Sequence, residues 1–264
     1  MISSGFGTSA IIKGLRRIVR STGFDLVRFR RDDQVDISPD YDELVVETIR
    51  HVRPFTQTSP QRIVSLCDAT RYIVTAQIPG DIVECGVWRG GSMMAVARTL
   101  LETGDTARDL FLYDTFDGMP QPGEKDVTYS GTSASILMHQ GRKDDPCSIW
   151  CYAPLEAVKN SVCGVGYPRE KIHFVQGKVE DTIPNVVPER IALLRLDTDW
   201  YESTRHELIH LFPRLSKGGV LIVDDYGHWR GARQAIDDYL AESGAKLLLN
   251  RIDYTGRIAL KVFD

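Results

Sequence analysis

From about Gly80 onward, apolar runs of strand length alternate with segments of helical periodicity. The predicted strands are residues 81–87, 110–116, 171–179, 191–199, 220–225, 246–252 and 257–263. The predicted helices between them are residues 92–102, 154–163, 202–215 and 232–242. This alternation predicts βαβ units and therefore a parallel sheet. Because residues 191–194 and 220–223 are apolar throughout, helices should cover their strands on both faces.

The last two predicted strands are separated only by Tyr254-Thr255-Gly256, which is too short for a parallel crossover. The predicted fold class is therefore α/β, a doubly wound Rossmann-like sheet with a terminal antiparallel hairpin strand. Thr58-Ser59-Pro60 is typical of a helix start, and residues 40–52 are a further helical candidate. We divide the chain into an amino-terminal helical extension, residues 1–57, and a sheet domain, residues 58–264.

Residues 117–150, called the lid segment below, are the one long stretch without clear periodicity. A long unpatterned loop in a compact domain is usually functional or disordered. Because this one follows the second predicted strand, it should lie at the carboxyl edge of the sheet, where ligands bind. We interpret it as a mobile lid, and a plain disordered insert is the alternative.

The first part of the chain is basic, with Lys13, Arg16, Arg17, Arg20, Arg28, Arg30 and Arg31. Apolar residues recur at helical spacing within it, which predicts an amphipathic helix. A solvated face that packs on the domain or on a second subunit is favoured over a phosphate or membrane-surface contact. The whole chain has a net charge of −4, so no general basic field indicates a nucleic-acid partner.

Neither the ends nor the cysteines indicate export. No run approaches the roughly 20 apolar residues of a membrane span, and the start has no basic segment before its short apolar pair. We therefore expect no membrane partner and a cytoplasmic location. The five cysteines are odd in number and are interpreted as reduced thiols.

The first predicted strand ends in a glycine-rich turn, Glu84-Cys-Gly86-Val-Trp88-Arg-Gly90-Gly91-Ser92. It is not G-x-G-x-x-G, which disfavours a dinucleotide, and a carboxylate at Glu84 suits a cationic amino group better than a pyrophosphate. The second strand ends at Asp114, where a carboxylate can accept the two hydroxyls of a ribose. A ligand that carries both an amino acid end and a ribose would fit these two acids, and S-adenosylmethionine is such a ligand. A glycine turn with two solvated acids is the alternative.

Four aspartates follow the fourth and fifth predicted strands: Asp197, Asp199, Asp224 and Asp225. These strands should be neighbours, so the carboxylates converge and would repel one another without a cation. An all-oxygen donor set selects Mg²⁺, Mn²⁺ or Ca²⁺ over zinc. We predict Asp197, Asp224 and Asp225 as metal ligands and Asp199 as a general base. Helix capping by some of these aspartates is the alternative.

His206-Glu207-Leu-Ile-His210 matches the zinc-protease motif H-E-x-x-H. The predicted apolar face of this helix consists of Thr204, Leu208, Leu211, Phe212 and Leu215. At 100° per residue both histidines lie about 200° from Leu208, on the side opposite this face. The motif also lacks a third ligand and a cleft, so we reject the metalloprotease hypothesis.

Several blocks of the sequence together resemble the macrocin O-methyltransferase family of S-adenosylmethionine-dependent enzymes, from about Thr58 to the final hairpin. The blocks are Pro79-Gly-Asp-x-x-Glu-Cys-Gly-Val-Trp-Arg-Gly-Gly-Ser92, Tyr113-Asp-Thr-Phe-Asp-Gly-Met-Pro120, Gly177-x-Val-Glu-Asp-Thr-Ile-Pro184, Leu196-Asp-Thr-Asp-Trp-Tyr-Glu-Ser203 and Gly218-Gly-Val-x-x-Val-Asp-Asp-Tyr226. The resemblance implies methylation of sugar hydroxyls in antibiotic biosynthesis. Within the family the chain resembles the enzyme that acts on the 4-hydroxyl of noviose in the aminocoumarin pathway, so this hydroxyl is the expected acceptor. A macrolide-sugar methyltransferase is the alternative.

The resemblance also implies roles for individual residues. Cofactor-binding positions are Glu84, Gly86, Trp88 and Ser92 for the methionine part, Asp114 for the ribose, and Val179 and Glu180 for the adenine. The family's Mg²⁺ positions match Asp197, Asp224 and Asp225, and its proposed base matches Asp199. The lysine base of related catechol methyltransferases has no counterpart here. A homodimer is implied too, with the amino-terminal extension helping to close the site.

Two other classes of function stay open at this point. One is a methyltransferase that acts on RNA or another polyanion through the basic first helix, although clustered carboxylates would repel such a substrate. The other is a protein that binds the cofactor without catalysis.

Overall fold

A computed structural model describes residues 19–23, 37–145 and 148–263 of the chain. The chain divides into two compact units, Met1–Asp36 and Ile37–Asp264. Of the first unit only residues 19–23 are described, and residues 19–21 are helical. The basic amphipathic helix predicted around residues 13–31 therefore lies mostly outside the described residues. The second unit holds the sheet and everything discussed below.

The second unit is built on one sheet of seven strands in the order β3-β2-β1-β4-β5-β7-β6. Strands β1 to β5 are parallel, and β7 is antiparallel to both β5 and β6. This confirms the predicted α/β sheet and its single reversed strand. The strands are β1 Asp81–Cys85, β2 Leu110–Asp114, β3 Ile172–Gln176, β4 Ile191–Leu196, β5 Leu215–Val223, β6 Asn250–Arg251 and β7 Arg257–Leu260.

Eight α-helices are present in the described part of this unit. They are α1 Glu43–Val52, α2 Pro60–Thr75, α3 Gly91–Thr103, α4 Ala134–Gln140, α5 Leu155–Cys163, α6 Val179–Thr182, α7 Tyr201–Leu211 and α8 Arg230–Ser243. Helix α1 begins inside the predicted amino-terminal extension and buries Val45, Ile49 and Val52. Its Thr48 hydroxyl accepts a hydrogen bond from Arg98 Nε of α3 at 3.2 Å, so α1 is part of the sheet unit.

Local sequence explains where the helices beside the site begin. Ser59 accepts the Arg62 amide at 3.2 Å and caps α2, while Pro60 occupies the first turn. The Ser59 hydroxyl also donates to Asp253 at 2.7 Å, which joins the start of α2 to the β6–β7 turn. Helix α3 begins after Gly90, whose φ of 89° favours glycine.

The central strands carry the core. All six residues of β4 are buried, and so are the last five of β5, as their apolar runs predict. The predicted strand over residues 246–252 is shortened to Asn250–Arg251, two exposed residues that pair only with β7. An edge strand with one neighbour has little packing to extend it.

The lid segment contains α4, which the sequence did not predict, because its seven residues are too few to show a period. Its apolar face packs with Trp200 and Trp229. Trp200 Nε1 donates to Pro120 O at 3.0 Å, and Asp126 accepts the Tyr201 amide at 2.8 Å. The described part of the lid segment is thus bonded to the loops after β4 and β5, and its mobility stays a prediction.

Within the described ranges, no helix combines the length and the apolar character needed to span a bilayer. Cys67, Cys85, Cys151 and Cys163 are free thiols.

Candidate active site

A cavity of about 460 Å³ lies at the carboxyl edge of the parallel strands. The loops after β1, β2, β4 and β5 and the turn before α6 form its walls. Ten of the predicted site residues line it: Gly86, Trp88, Ser92, Asp114, Val179, Glu180, Asp197, Asp199, Asp224 and Asp225. Glu84 is not among the lining residues, so the structure brings together all the sequence-predicted positions but one.

The glycine-rich turn is held by Asp114. Its carboxylate accepts the amides of Val87 at 2.7 Å, Trp88 at 2.8 Å and Phe116 at 2.7 Å. Burial raises the pKa of Asp114, and these backbone donors oppose the rise. Trp88 takes a φ of 49°, which L-residues rarely adopt, and the hydrogen bonds that the Val87 and Trp88 amides donate to Asp114 support this turn. Asp114 therefore shapes the glycine-rich turn in addition to lining the cavity.

Glu84 faces Arg195 on the neighbouring strand and not the cavity. The two residues are in register across β1 and β4, and Arg195 Nη1 donates to Glu84 Oε1 at 2.5 Å. Both side chains are buried. Burial raises the pKa of Glu84 to about 7, against the pull of Arg195. Its other oxygen, Oε2, is buried without a hydrogen-bond partner among the described residues, so a contact of Glu84 with the amino group of the cofactor stays a prediction.

Arg195 also bonds the two loops that follow β4 and β5. Its guanidinium lies 2.8 Å from Asp197 Oδ2 and 2.8 Å from Asp224 Oδ1. Arg62, in the first turn of α2, forms a second ion pair with Asp224 and lies 3.0 Å from Asp253. Two arginines therefore compensate the charge of Asp224, one of the three predicted metal ligands.

The remaining carboxylates form a compact group. Asp197, Asp199 and Asp225 each offer an oxygen, and these atoms lie within 4.8 Å of one another. Oδ2 of Asp225 is buried and has no hydrogen-bond partner among the described residues. Three oxygen donors with one unpaired buried oxygen fit a hard divalent cation such as Mg²⁺ or Mn²⁺.

The pKa values of Asp199 and Asp225 are set by burial and by the neighbouring carboxylates. Burial, and after it the charge of Asp199, raises the pKa of Asp225 well above its ordinary value. Burial raises the pKa of Asp199 to about 7, and a hydrogen bond with Asp225 opposes the rise. An acid that titrates near neutrality can accept a proton at physiological pH. The arrangement can therefore bind a cation and remove a proton within a few ångströms.

Sequence reasoning missed both arginines and the segment Phe55–Thr58, which also lines the cavity. One signal for Arg195 was available, since it is the only charged residue in the apolar run of β4. A buried arginine requires carboxylate partners, and Glu84 lies in a buried strand as well. No sequence pattern pointed to Arg62 or to residues 55–58.

The H-E-x-x-H motif forms no metal site. The rings of His206 and His210 are 4.4 Å apart, and His206 Nε2 lies 2.9 Å from Ile183 O. Across the described residues, the Asp197–Asp199–Asp225 group is the only potential metal cluster. The buried positions Thr204, Leu208 and Leu211 confirm the predicted apolar face of α7, but Glu207 is fully buried there too.

Arg195→Met should destabilise the protein by about 3–5 kcal/mol at neutral pH, because it leaves buried carboxylates without their cation. Denaturant unfolding of the metal-free protein measures the loss. Arg142→Met is the control, since Arg142 forms an exposed pair with Asp144 and should change stability little. Adding Glu84→Gln to Arg195→Met should recover part of the loss. Equal stability of the two arginine variants would contradict the assigned role of Arg195.

Comparison with known proteins identifies the family of the chain and a shared fold. Residues 48–260 match the family described as macrocin O-methyltransferase (TylF). The structure of the O-methyltransferase NovP superposes with a TM-score of 0.71 at 24% identity, covering 97% of this chain and 100% of that one. The fold is therefore that of known methyltransferases.

Three curated relatives are similar over most of their length. The 8-demethyl-8-(2,3-dimethoxy-alpha-L-rhamnosyl)-tetracenomycin-C 4'-O-methyltransferase of Streptomyces olivaceus is 35% identical, over 76% of this chain and 73% of the relative. The demethyldecarbamoylnovobiocin O-methyltransferase of Streptomyces niveus is 31% identical over the same shares. The mycinamicin III 3''-O-methyltransferase of Micromonospora griseorubida is 34% identical, over 68% of this chain and 67% of the relative. The chain belongs to the macrocin O-methyltransferase (TylF) family.

Proposed function

We propose that this chain is an S-adenosylmethionine-dependent O-methyltransferase that acts on a deoxysugar hydroxyl of a glycosylated antibiotic intermediate. The observation that carries the proposal is one cavity with two chemically distinct walls. One wall is the glycine-rich turn with Asp114, and the other is the Asp197–Asp199–Asp225 group. The names of the three relatives, all O-methyltransferases acting on antibiotics or their precursors, support the substrate class.

The first wall, called the cofactor wall below, would hold the cofactor. Gly86, Trp88 and Ser92 would contact the methionine part, and Asp114, at the end of β2, would bind the ribose. All four residues line the cavity. Val179 and Glu180, at the start of α6, would flank the adenine. S-adenosylmethionine supplies an electrophilic methyl group on its sulfonium.

The second wall would hold Mg²⁺ through Asp197 and Asp225. A bound Mg²⁺ supplies positive charge that polarises a sugar oxygen and lowers the pKa of its hydroxyl. Asp224, the third predicted ligand, is paired with two arginines in the structure, so in this proposal it compensates their charge. Its assignment as a direct ligand stays a prediction.

Asp199 would act as the general base. As the sugar oxygen attacks the methyl carbon, the carbon–sulfur bond breaks and the hydroxyl proton passes to a carboxylate oxygen of Asp199. The products are a methyl ether and S-adenosylhomocysteine. The lid segment contacts the same loops through Trp200 and Asp126, so it can exclude water and orient the sugar. Most of the rate enhancement would come from this positioning.

The finer proposal for the substrate is the 4-hydroxyl of noviose in novobiocin-type biosynthesis. Identities of 35%, 31% and 34% to relatives with three different substrates do not favour one sugar over the others. A macrolide sugar is therefore the alternative. A polyanion such as RNA is disfavoured, because the carboxylate wall would repel phosphates. The homodimer and the cytoplasmic location also stay predictions.

Labelled S-adenosylmethionine, incubated with a panel of deoxysugar glycosides, tests the proposed function directly. We expect transfer of label to a neutral glycoside, loss of transfer with EDTA and recovery with Mg²⁺. Transfer should be insensitive to moderate salt, because no phosphate contacts are made. Transfer to RNA alone would contradict the substrate class. Full activity in EDTA would contradict the cation.

Asp199→Asn should bind the cofactor normally but lower kcat by about 100-fold or more, because it removes the proton acceptor. In the wild type, kcat should rise with pH through an apparent pKa of about 7 or below, since the base must be deprotonated and a cation nearby lowers its pKa. The variant should lack this limb of the profile.

Asp117→Asn is the matched control for the Asp199 experiment, since Asp117 is an exposed lid-segment residue paired with Lys143. It should keep both the rate and the pH profile. An Asp199→Asn enzyme with wild-type turnover would exclude Asp199 as the base.

A further inference from the structure

Glu207 is a buried acid to which the proposed mechanism gives no role. It lies on α7 and is fully buried. The Thr198 hydroxyl donates to its Oε1 at 2.9 Å, whereas Oε2 is buried without a hydrogen-bond partner among the described residues. A carboxyl in this environment is costly, and an apolar side chain of similar volume would pack there at lower cost. Its presence therefore calls for a reason other than stability.

The surroundings of Glu207 connect it to both walls of the cavity. Thr198 lies between Asp197 and Asp199, the proposed cation ligand and base. On the other side Cys85, which precedes Gly86 of the cofactor wall, has its thiol pKa raised by burial and by the neighbouring Glu207. The carboxyl of Glu207 thus lies beside both Thr198 and Cys85, where the two walls meet.

The two walls touch at this junction. The Asp197 amide donates to Cys85 O at 2.8 Å. A Cβ at Gly86 would lie 2.1 Å from Asp197 O, so the backbones are in direct contact. A shift of the loop after β4 would therefore move the base relative to the cofactor wall.

The loop that Glu207 contacts is held in an unfavourable conformation. Asp199 has a φ of 68°, which a non-glycine residue adopts only where its surroundings require it. The Trp200 amide donates to Thr198 O at 2.8 Å and closes the turn around Asp199. The bond from Thr198 to Glu207 restrains the residue immediately before Asp199 from the helix side.

We propose that Glu207 is a positioning residue for methyl transfer, which fixes Thr198 and thereby the orientation of Asp199 against the cofactor wall. Burial raises the pKa of Glu207 well above its ordinary value. The inference rests on the proposed function for its kinetic readout, and a cation-binding readout stands independently of it.

Glu207→Leu is the informative change, because leucine fills the site but accepts no hydrogen bond. We expect kcat to fall by about 100-fold, because a small misplacement of a reacting group has an effect of this size. The KM for the glycoside should stay near the wild-type value. Mn²⁺ affinity, measured by titration calorimetry on the metal-free protein, should fall as well. Thermal stability should be unchanged or higher, because a buried acid has been removed. Glu207→Gln should restore most of the rate, since its amide oxygen can accept the Thr198 hydroxyl.

Leu211→Ala, at a fully buried position on the same helix, is the matched control. It should lower thermal stability and leave kcat unchanged, the reverse of the Glu207→Leu result. If Glu207→Leu instead loses stability and keeps its kcat, Glu207 has only a structural role and the inference is wrong.

A double-mutant cycle with Thr198→Val tests the hydrogen bond itself. If the two residues act through it, Glu207→Leu, Thr198→Val and the double variant should lose similar amounts of kcat. Additive losses would overturn the inference. A wild-type chain that transfers no methyl group would instead overturn the proposed function, and the Mn²⁺ titration would still test Glu207.

Discussion

The candidate site depends on one buried guanidinium. Arg195 projects from the centre of the sheet and bonds Glu84 within β1, Asp197 after β4 and Asp224 after β5. A buried cation and a buried anion are each costly alone, and mutual pairing with good geometry offsets that cost. This one interaction lets acidic residues gather at the carboxyl edge of an apolar sheet, where they would otherwise repel one another.

The pairing also divides the acids by role. Asp224 is paired with two arginines, and Glu84 and Asp197 each pair with Arg195, whereas Asp199 and Asp225 have no arginine partner among the described residues. The Asp197–Asp199–Asp225 group therefore keeps oxygens available to a divalent cation or to a substrate proton. A net charge of −4, unremarkable for a chain of this length, thus conceals a strong local concentration of negative charge beside the proposed cofactor wall. The same concentration favours a neutral glycoside over a polyanion.

The sheet, its order of helices and its reversed strand could be predicted, because long apolar runs and short connections leave few alternatives. Ten of the eleven predicted site residues line the cavity; the aspartates do so because strand ends share one edge of a parallel sheet, whereas Val179 and Glu180 were implied only by the family resemblance. The exception is Glu84. Its side chain faces Arg195 because the two residues are in register across β1 and β4, and the sequence alone does not specify that register. Glu207 was missed for a related reason. Helical periodicity identifies the buried face of a helix from its apolar residues, and an acidic residue is ordinarily expected on the surface. Helix α4 depends on packing against two tryptophans distant in sequence.

We infer that arginines compensate Glu84 and Asp224, while Asp197, Asp199 and Asp225 keep oxygens for a cation. Anomalous diffraction from crystals grown with Mn²⁺ tests it most directly, because it locates the ion among four nearby carboxylates. We expect one ion bound by Asp197 and Asp225, with Arg195 still bonded to Glu84 and Asp224. An ion bound through Asp224 with Arg195 displaced, or no ion at these aspartates, would contradict it.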